Sequence, residues 1–97
     1  MDFEIKNLDQ NVVNVARQIS YLIIDTKGDG EYNLVRKLTG EHYPRFHIYV
    51  KQQGTTYIFN LHLDQKKPSY GGAHAHSGEY FGPLLDDEAD RIKSLLK

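Results

Sequence analysis

Two alternating segments near the middle of the chain, RFHIYVK (45–51) and TYIFNLHL (56–63), restrict the fold more than any other feature. In each of them large apolar residues occupy every second position, which is typical of strands with one buried face. The intervening QQGT predicts a short hairpin loop. The sequence therefore predicts an antiparallel hairpin as the centre of the fold.

The pairing of this hairpin decides which polar side chains meet. If Lys51 faces Thr56, then Ile48 faces Phe59, His47 faces Asn60 and Arg45 faces His62. One face then carries the apolar residues Phe46, Ile48, Val50, Tyr57, Phe59 and Leu61. We expect this face to be the core side, with Arg45, His47, Asn60 and His62 on the other face.

Helical spacing is found on both sides of the hairpin. Val12, Val13, Ala16 and Ile19 predict a helix over 9–20 with Asp9 as N-cap, and Leu85, Ala89, Ile92 and Leu96 predict a final helix from Leu84. EYNLVRKL (31–38) predicts a strand, TKGDGE predicts a turn, and YLIID is an apolar run of undetermined type. Residues 64–83, rich in glycine, predict a long loop that folds over the polar face or its edge.

These elements predict a single α+β domain over residues 1–97. Its antiparallel sheet has three strands, or four if FEIK adds an edge strand, with both helices on one face and the long His/Gly loop before the last helix. The chain has no cysteine, so a metal would be held by His, Asp or Glu. No apolar run approaches the roughly 20 residues of a membrane span, and the acidic N-terminus lacks an apolar signal region. We therefore expect a cytoplasmic protein without a membrane partner.

The candidate site is built around the histidines of YGGAHAHSGEYFG (70–82) and the strand end before it. His62 and Asp64 would project from the same face of their strand, and the loop glycines would allow His74 and His76 to bend toward them. Imidazoles and carboxylates are suitable ligands for zinc or another divalent metal, with Glu79 as ligand, outer partner or general base. An open position on the ion would support hydrolysis.

Two other interpretations of these histidines stay open, namely hydrogen bonding that folds the loop onto the sheet and metal-free acid–base chemistry. A function of another class is RNA or other nucleic-acid binding, because residues 34–70 carry six basic against two acidic side chains. Its candidate residues are Arg45, His47, Tyr49, Lys51, Lys66, Lys67 and Tyr70. A protein-interaction adaptor is the third alternative.

The blocks GEYNLVRKL, YPRFHIYVK, FNLHLDQKKPSY and HAHSGEYFG resemble those of short uncharacterised bacterial proteins of candidate phyla. That resemblance implies a cytoplasmic bacterial protein and no particular activity. VRKLTGEHYPRF (35–46) is similar to the segment around the active histidine of HicA-type mRNA interferase toxins, whose fold is like that of double-stranded-RNA-binding domains. Gly40 matches the glycine of that segment and His42 the catalytic histidine, while Glu41 stands where serine is expected.

Overall fold

The structure is a computed structural model that describes residues 1–66, 77–79 and 82–96; for residues 66 and 77–79 it describes the backbone alone. The strands are β1 (Asp2–Ile5), β2 (Leu22–Lys27), β3 (Glu31–Lys37), β4 (Arg45–Gln53), β5 (Thr56–Lys66) and β6 (Ser77–Glu79). The helices are α1 (Val12–Ile19), between β1 and β2, and α2 (Pro83–Leu95), at the end.

Five strands form a continuous antiparallel path in the order β1-β5-β4-β3-β2, and β6 pairs with β5 beside that path. The α+β class is as expected, but the prediction of three or four strands is wrong. Two strands are missing from the prediction, namely β6 and β2, and β2 comes largely from the apolar run YLIID. Five of its six residues are exposed, as an edge strand allows, so its sequence lacks the alternation that marks a half-buried strand.

The predicted long loop also differs from the structure, because β5 extends to Lys66 and β6 covers Ser77–Glu79. Both segments fall inside the range 64–83, which was expected to lack regular structure. Residues 67–76 lie outside the described residues. The backbone of β6 lies along the same edge of β5 as β1, since β1 pairs with residues 57–60 and β6 with residues 63–66.

Helix α1 is shorter than the predicted 9–20, and its N-cap is Asn11 rather than Asp9. The Asn11 side chain accepts a hydrogen bond from the backbone N–H of Asn14 at 2.9 Å, which satisfies one of the free donors of the first turn. With this start, Val15 is fully buried and Val13 is 51% exposed, whereas Val13 was expected on the apolar stripe.

Both helices contribute to one hydrophobic core with the apolar residues of β4 and β5. The core includes Val15 and Ile19 from α1, Leu85 and Ile92 from α2, and Phe59 from β5. The helix packing nevertheless differs in detail from the prediction, in which both helices cover the apolar face of the β4–β5 hairpin. The backbones approach each other between α1 and α2, between α1 and β2, and between α2 and β5.

One carboxylate is buried between α2 and the rest of the core. Glu88 is 3% exposed, and it accepts hydrogen bonds from Tyr21, Arg36 and Arg91. Arg91 also donates to the backbone carbonyl of Ile19 at 2.6 Å, so the network joins α1 to α2 and to β3. A buried charge with several charge-assisted hydrogen bonds is tolerated in a core and fixes the position of the helix that carries it.

The predicted register of the β4–β5 hairpin is wrong by two residues. The turn consists of Gly54 and Thr55, with Gln53 paired to Thr56, so that His47 lies opposite His62 and Arg45 opposite Asp64. Gly54 has φ +63°, a conformation that favours glycine. Because side chains alternate with a period of two, a two-residue shift leaves each residue on its predicted face and changes only its partner.

Candidate metal centre

The side chains on the sheet face opposite the helices form cross-strand rows, and we call this face the polar face. The backbone register places four rows next to one another across β3, β4 and β5, with β1 continuing the last two rows. The rows are Lys37–Arg45–Asp64, Val35–His47–His62, Asn33–Tyr49–Asn60–Asp2 and Glu31–Lys51–Ile58–Glu4. Successive rows lie about 7 Å apart along the strands.

His47 and His62 are neighbours in the second row. They are directly paired on β4 and β5, their ring centroids lie 4.6 Å apart, and their exposed fractions are 9% and 4%. The ring of Tyr49 in the next row lies 4.7 Å from that of His47 and 5.4 Å from that of His62. Two imidazoles are therefore held side by side on the two longest strands, where the backbone leaves their positions little freedom.

Asp64 contacts both histidines from the adjacent row. Its Oδ2 lies 3.2 Å from Nδ1 of His47, and its Oδ1 lies 3.3 Å from Nε2 of His62. Arg45 lies beside it, with its Nε 3.4 Å from Oδ2 of Asp64 and its guanidinium 4.8 Å from the ring centroid of Tyr43. The carboxylate thus bridges two imidazoles and has a cation at its outer side.

Burial lowers the pKa of His47 below its ordinary value, and it outweighs Asp64, whose charge and hydrogen bond act in the opposite direction. The charge of Arg45 adds to the lowering. His47 is therefore neutral at pH 7, and the neutral imidazole is the form that binds metals. Its Nε2 is buried and has no hydrogen-bond partner within the described residues.

His47, His62 and Asp64 are a group that could hold a metal ion, because one ligand atom from each lies within 4.8 Å of the other two. A tetrahedral ion with bonds of about 2.0–2.1 Å keeps its ligand atoms about 3.3–3.4 Å apart. Nδ1 of His47 is 3.2 Å from Oδ2 of Asp64, and Nε2 of His62 is 3.3 Å from Oδ1, so each imidazole is already near that separation from one of the two carboxylate oxygens. The two ligand atoms that lie farthest apart are at most 4.8 Å from each other, and side-chain rotation can bring them to the tetrahedral separation.

The structure brings together only part of the metal site predicted from the sequence. His62 and Asp64 lie in the group, while His74 and His76 lie outside the described residues. The backbone of Glu79 pairs with that of Leu63, next to Asp64. His42, the weak catalytic candidate, is exposed in the connection between β3 and β4 and is not a member of the group.

His47 was not among the predicted metal-binding candidates because the predicted register placed it opposite Asn60. The sequence did contain a signal for the correct pairing, namely Gly54, because glycine is favoured at the first position of a two-residue hairpin turn. A two-residue turn at Gly54–Thr55 puts His47 opposite His62, whereas the four-residue loop QQGT does not. The two-residue shift in the register therefore changed the predicted ligand set without changing the predicted face.

Of the nucleic-acid candidates, Arg45, His47, Tyr49 and Lys51 follow one another along the polar face of β4. Arg45 is paired with Asp64 and His47 is buried, so Tyr49 and Lys51 are the two exposed members of this set on β4. For Lys66 the backbone alone is described, and Lys67 and Tyr70 lie outside the described residues.

Comparisons with protein-family models, with curated proteins and with solved structures give no match. The resemblances to candidate-phyla proteins and to HicA-type toxins therefore stay predictions from the sequence. Neither of the helices in residues 1–66, 77–79 and 82–96 combines the length and the apolar character required to cross a membrane.

Proposed function

We propose that this protein binds a divalent transition-metal ion, zinc being the best suited, through His47, His62 and Asp64. The observation that carries the proposal is the convergence of two imidazoles and one carboxylate within 4.8 Å on paired strands. Nitrogen and carboxylate ligands of this kind are found in catalytic zinc sites and in the two-histidine, one-carboxylate sites of iron. His74, His76 and Glu79 remain candidate additional ligands from the sequence.

The alternative is a polar cluster that only stabilises the sheet. Charge-assisted hydrogen bonds between nitrogen and a carboxylate are usually about 2.7–2.9 Å long. The contacts of Asp64 with His47, His62 and Arg45 are 3.2, 3.3 and 3.4 Å long, so the cluster is looser than an optimised ion-pair network.

A site with three protein ligands keeps at least one coordination position for water. An ion held by His47, His62 and Asp64 would lower the pKa of a bound water and so would supply a nucleophile for hydrolysis at neutral pH. Hydrolysis is thus the chemistry that fits the site. Glu79 and His42 remain candidate acid–base residues from the sequence, and the cytoplasmic location and a role as an adaptor also stay predictions.

The proposal is tested by titrating the metal-free full chain with zinc and measuring heat and melting temperature. At a zinc concentration about 100 times Kd, binding stabilises the folded state by about 2.7 kcal/mol, which corresponds to roughly 10 °C or more in a domain of this size. Magnesium should have little effect, because it prefers oxygen ligands.

The variants are His62→Ala and the shape-matched Asp64→Asn, with His42→Ala as the matched control because His42 is an exposed histidine outside the group. Loss of a residue that only hydrogen-bonds to a metal ligand weakens metal binding about 10–100-fold, so loss of a ligand itself should weaken it at least as much. His42→Ala should bind like the parent protein. If His62→Ala and Asp64→Asn lose the same stability with and without a chelator, the residues are structural and the proposal fails.

A further inference from the structure

A shallow pocket adjoins the metal group on the polar face. Its volume is about 270 Å³, and it is lined by Asn33, Tyr49 and Asn60 from the third row and by Lys51, Ile58 and Lys27 beyond. Tyr49 belongs to both places, because it lines the pocket and its ring lies against those of His47 and His62. A molecule in this pocket would therefore lie one row, about 7 Å, from the proposed ion.

The third row combines an aromatic ring with two carboxamides. Tyr49 is flanked by Asn33 on β3 and by Asn60 on β5, and 48% of its surface is exposed. The amide nitrogen of Asn60 donates a hydrogen bond to a carboxylate oxygen of Asp2, which fixes its orientation. Proteins recognise nucleobases, adenine above all, by stacking an aromatic ring on the base and by hydrogen bonding its edge with carboxamides. The third row offers both kinds of group.

The volume of the pocket and its charges restrict how such a ligand would lie. Complete binding sites for small organic ligands usually enclose about 300–1,000 Å³. The 270 Å³ found here suits a base better than a whole nucleotide. Beyond the third row the charges compensate, since the fourth row and its continuation on β2 carry Lys27 and Lys51 against Glu31 and Glu4. A phosphate is therefore not attracted to that end.

The opposite end of the polar face is different. Lys37 and Arg45 lie in the first row beside Asp64, and an ion bound by the metal group would add two positive charges there. A phosphate attached to a base on Tyr49 would find its favourable partners at this end. We propose that the polar face binds a nucleotide, with the base on Tyr49 between Asn33 and Asn60 and the phosphate toward the metal group.

This inference deepens the proposed function and rests on it for the phosphate position, since it names the substrate class of the same site. Base binding is independent of the ion, so the two proposals fail separately. Free nucleotides and the units of a single-stranded RNA or DNA share this chemistry.

The test uses the folded full chain and follows backbone amide chemical shifts during titrations with adenosine, adenosine 5′-monophosphate and inorganic phosphate. Adenosine should shift the signals of Asn33, Tyr49 and Asn60 with or without a chelator. With zinc present, the monophosphate should bind at least about tenfold more tightly than adenosine, and a chelator should remove that difference. Zinc binding without any adenosine response overturns the nucleotide proposal alone. Adenosine binding without zinc binding overturns the metal proposal and the phosphate position that rests on it, and leaves base binding in place.

Tyr49→Ala should weaken adenosine binding by about tenfold or more, while Tyr49→Phe, which keeps the stacking ring, should bind like the parent protein. Asn33→Ala is the second variant, and it should weaken adenosine binding even if Tyr49→Ala does not fold. Asn14→Ala, at an exposed asparagine of α1 that does not line the pocket, is the matched control and should leave the affinity within about twofold. A short oligoadenylate that binds much more tightly than the monophosphate identifies a single strand as the ligand, and equal affinity identifies a free nucleotide. Retention of full affinity in both Tyr49→Ala and Asn33→Ala contradicts the proposal.

Discussion

Replacing Glu88 with alanine should lower the free energy of unfolding by about 3 kcal/mol. The carboxylate is 3% exposed, and it accepts one hydrogen bond from Tyr21, two from Arg36 and two from Arg91. Breaking a buried charged network by removing one partner costs about 3–5 kcal/mol. The lower end applies here, because the side chains of Arg36 and Arg91 are 28% and 32% exposed and can be partly rehydrated.

The measurement is urea unfolding followed by circular dichroism at neutral pH. A domain of this size has a total stability of about 5–15 kcal/mol, so the change is a large part of it. With a slope of about 1.5–2 kcal/mol per molar urea, the midpoint should fall by roughly 1.5–2 M at unchanged slope. Asp86→Ala, an exposed acid in the same helix, is the control and should change the stability by less than about 0.5 kcal/mol. A loss below about 1 kcal/mol for Glu88→Ala would refute the reasoning.

The same variant gives a pH dependence with a defined sign. Burial by itself raises the pKa of Glu88, but the hydrogen bonds from Arg91, Arg36 and Tyr21 outweigh it, so the pKa lies below its ordinary value of 4.5. The stability contributed by the ionised carboxylate is therefore present above about pH 4.5 and is lost as the pH falls through the lower, folded-state pKa. The stability difference between the parent protein and Glu88→Ala should shrink over that acid range and stay constant above it.

Two further predictions concern a glycine in a turn and the residue that caps α1. Gly30→Ala should cost about 2 kcal/mol or more, because Gly30 has φ +75° and an added Cβ would lie 2.8 Å from the backbone oxygen of Gln52. Gly40→Ala should be nearly neutral in the same unfolding experiment, because among the described residues no atom outside its chain neighbours lies within 4 Å of the added Cβ. Asn11→Ala should cost about 1 kcal/mol through loss of the cap on α1, and an unchanged melting temperature would count against that cap.

The faces of β4 and β5 could be predicted from the sequence because alternation depends only on the strand period. Phe46, Ile48 and Phe59 are buried on the core side, and His47 and His62 lie on the other face. Pairing is a different property, since it depends on the geometry of the turn. The choice between a four-residue loop and the Gly54–Thr55 turn is decided by backbone conformations that residue types specify only weakly.

The edge strand β2 and the carboxylate of Glu88 show a second limit. Ile24 is 46% exposed at a bulge in β2, so the apolar run there does not indicate burial. Glu88 is buried although glutamates are usually exposed, because Arg36 arrives from a strand 52 residues away in sequence. Neither feature follows from local patterns, since both depend on which distant segments pack together.

The most direct test of the central claim is to locate zinc in crystals of the full chain by anomalous scattering at its absorption edge. The account predicts one strong peak about 2.0–2.2 Å from a nitrogen of His47, a nitrogen of His62 and an oxygen of Asp64. The side chains should have rotated toward the ion, and the register of β4 and β5 should be unchanged. Zinc at His42 or at surface carboxylates, with the contacts of Asp64 as they are here, would contradict the account.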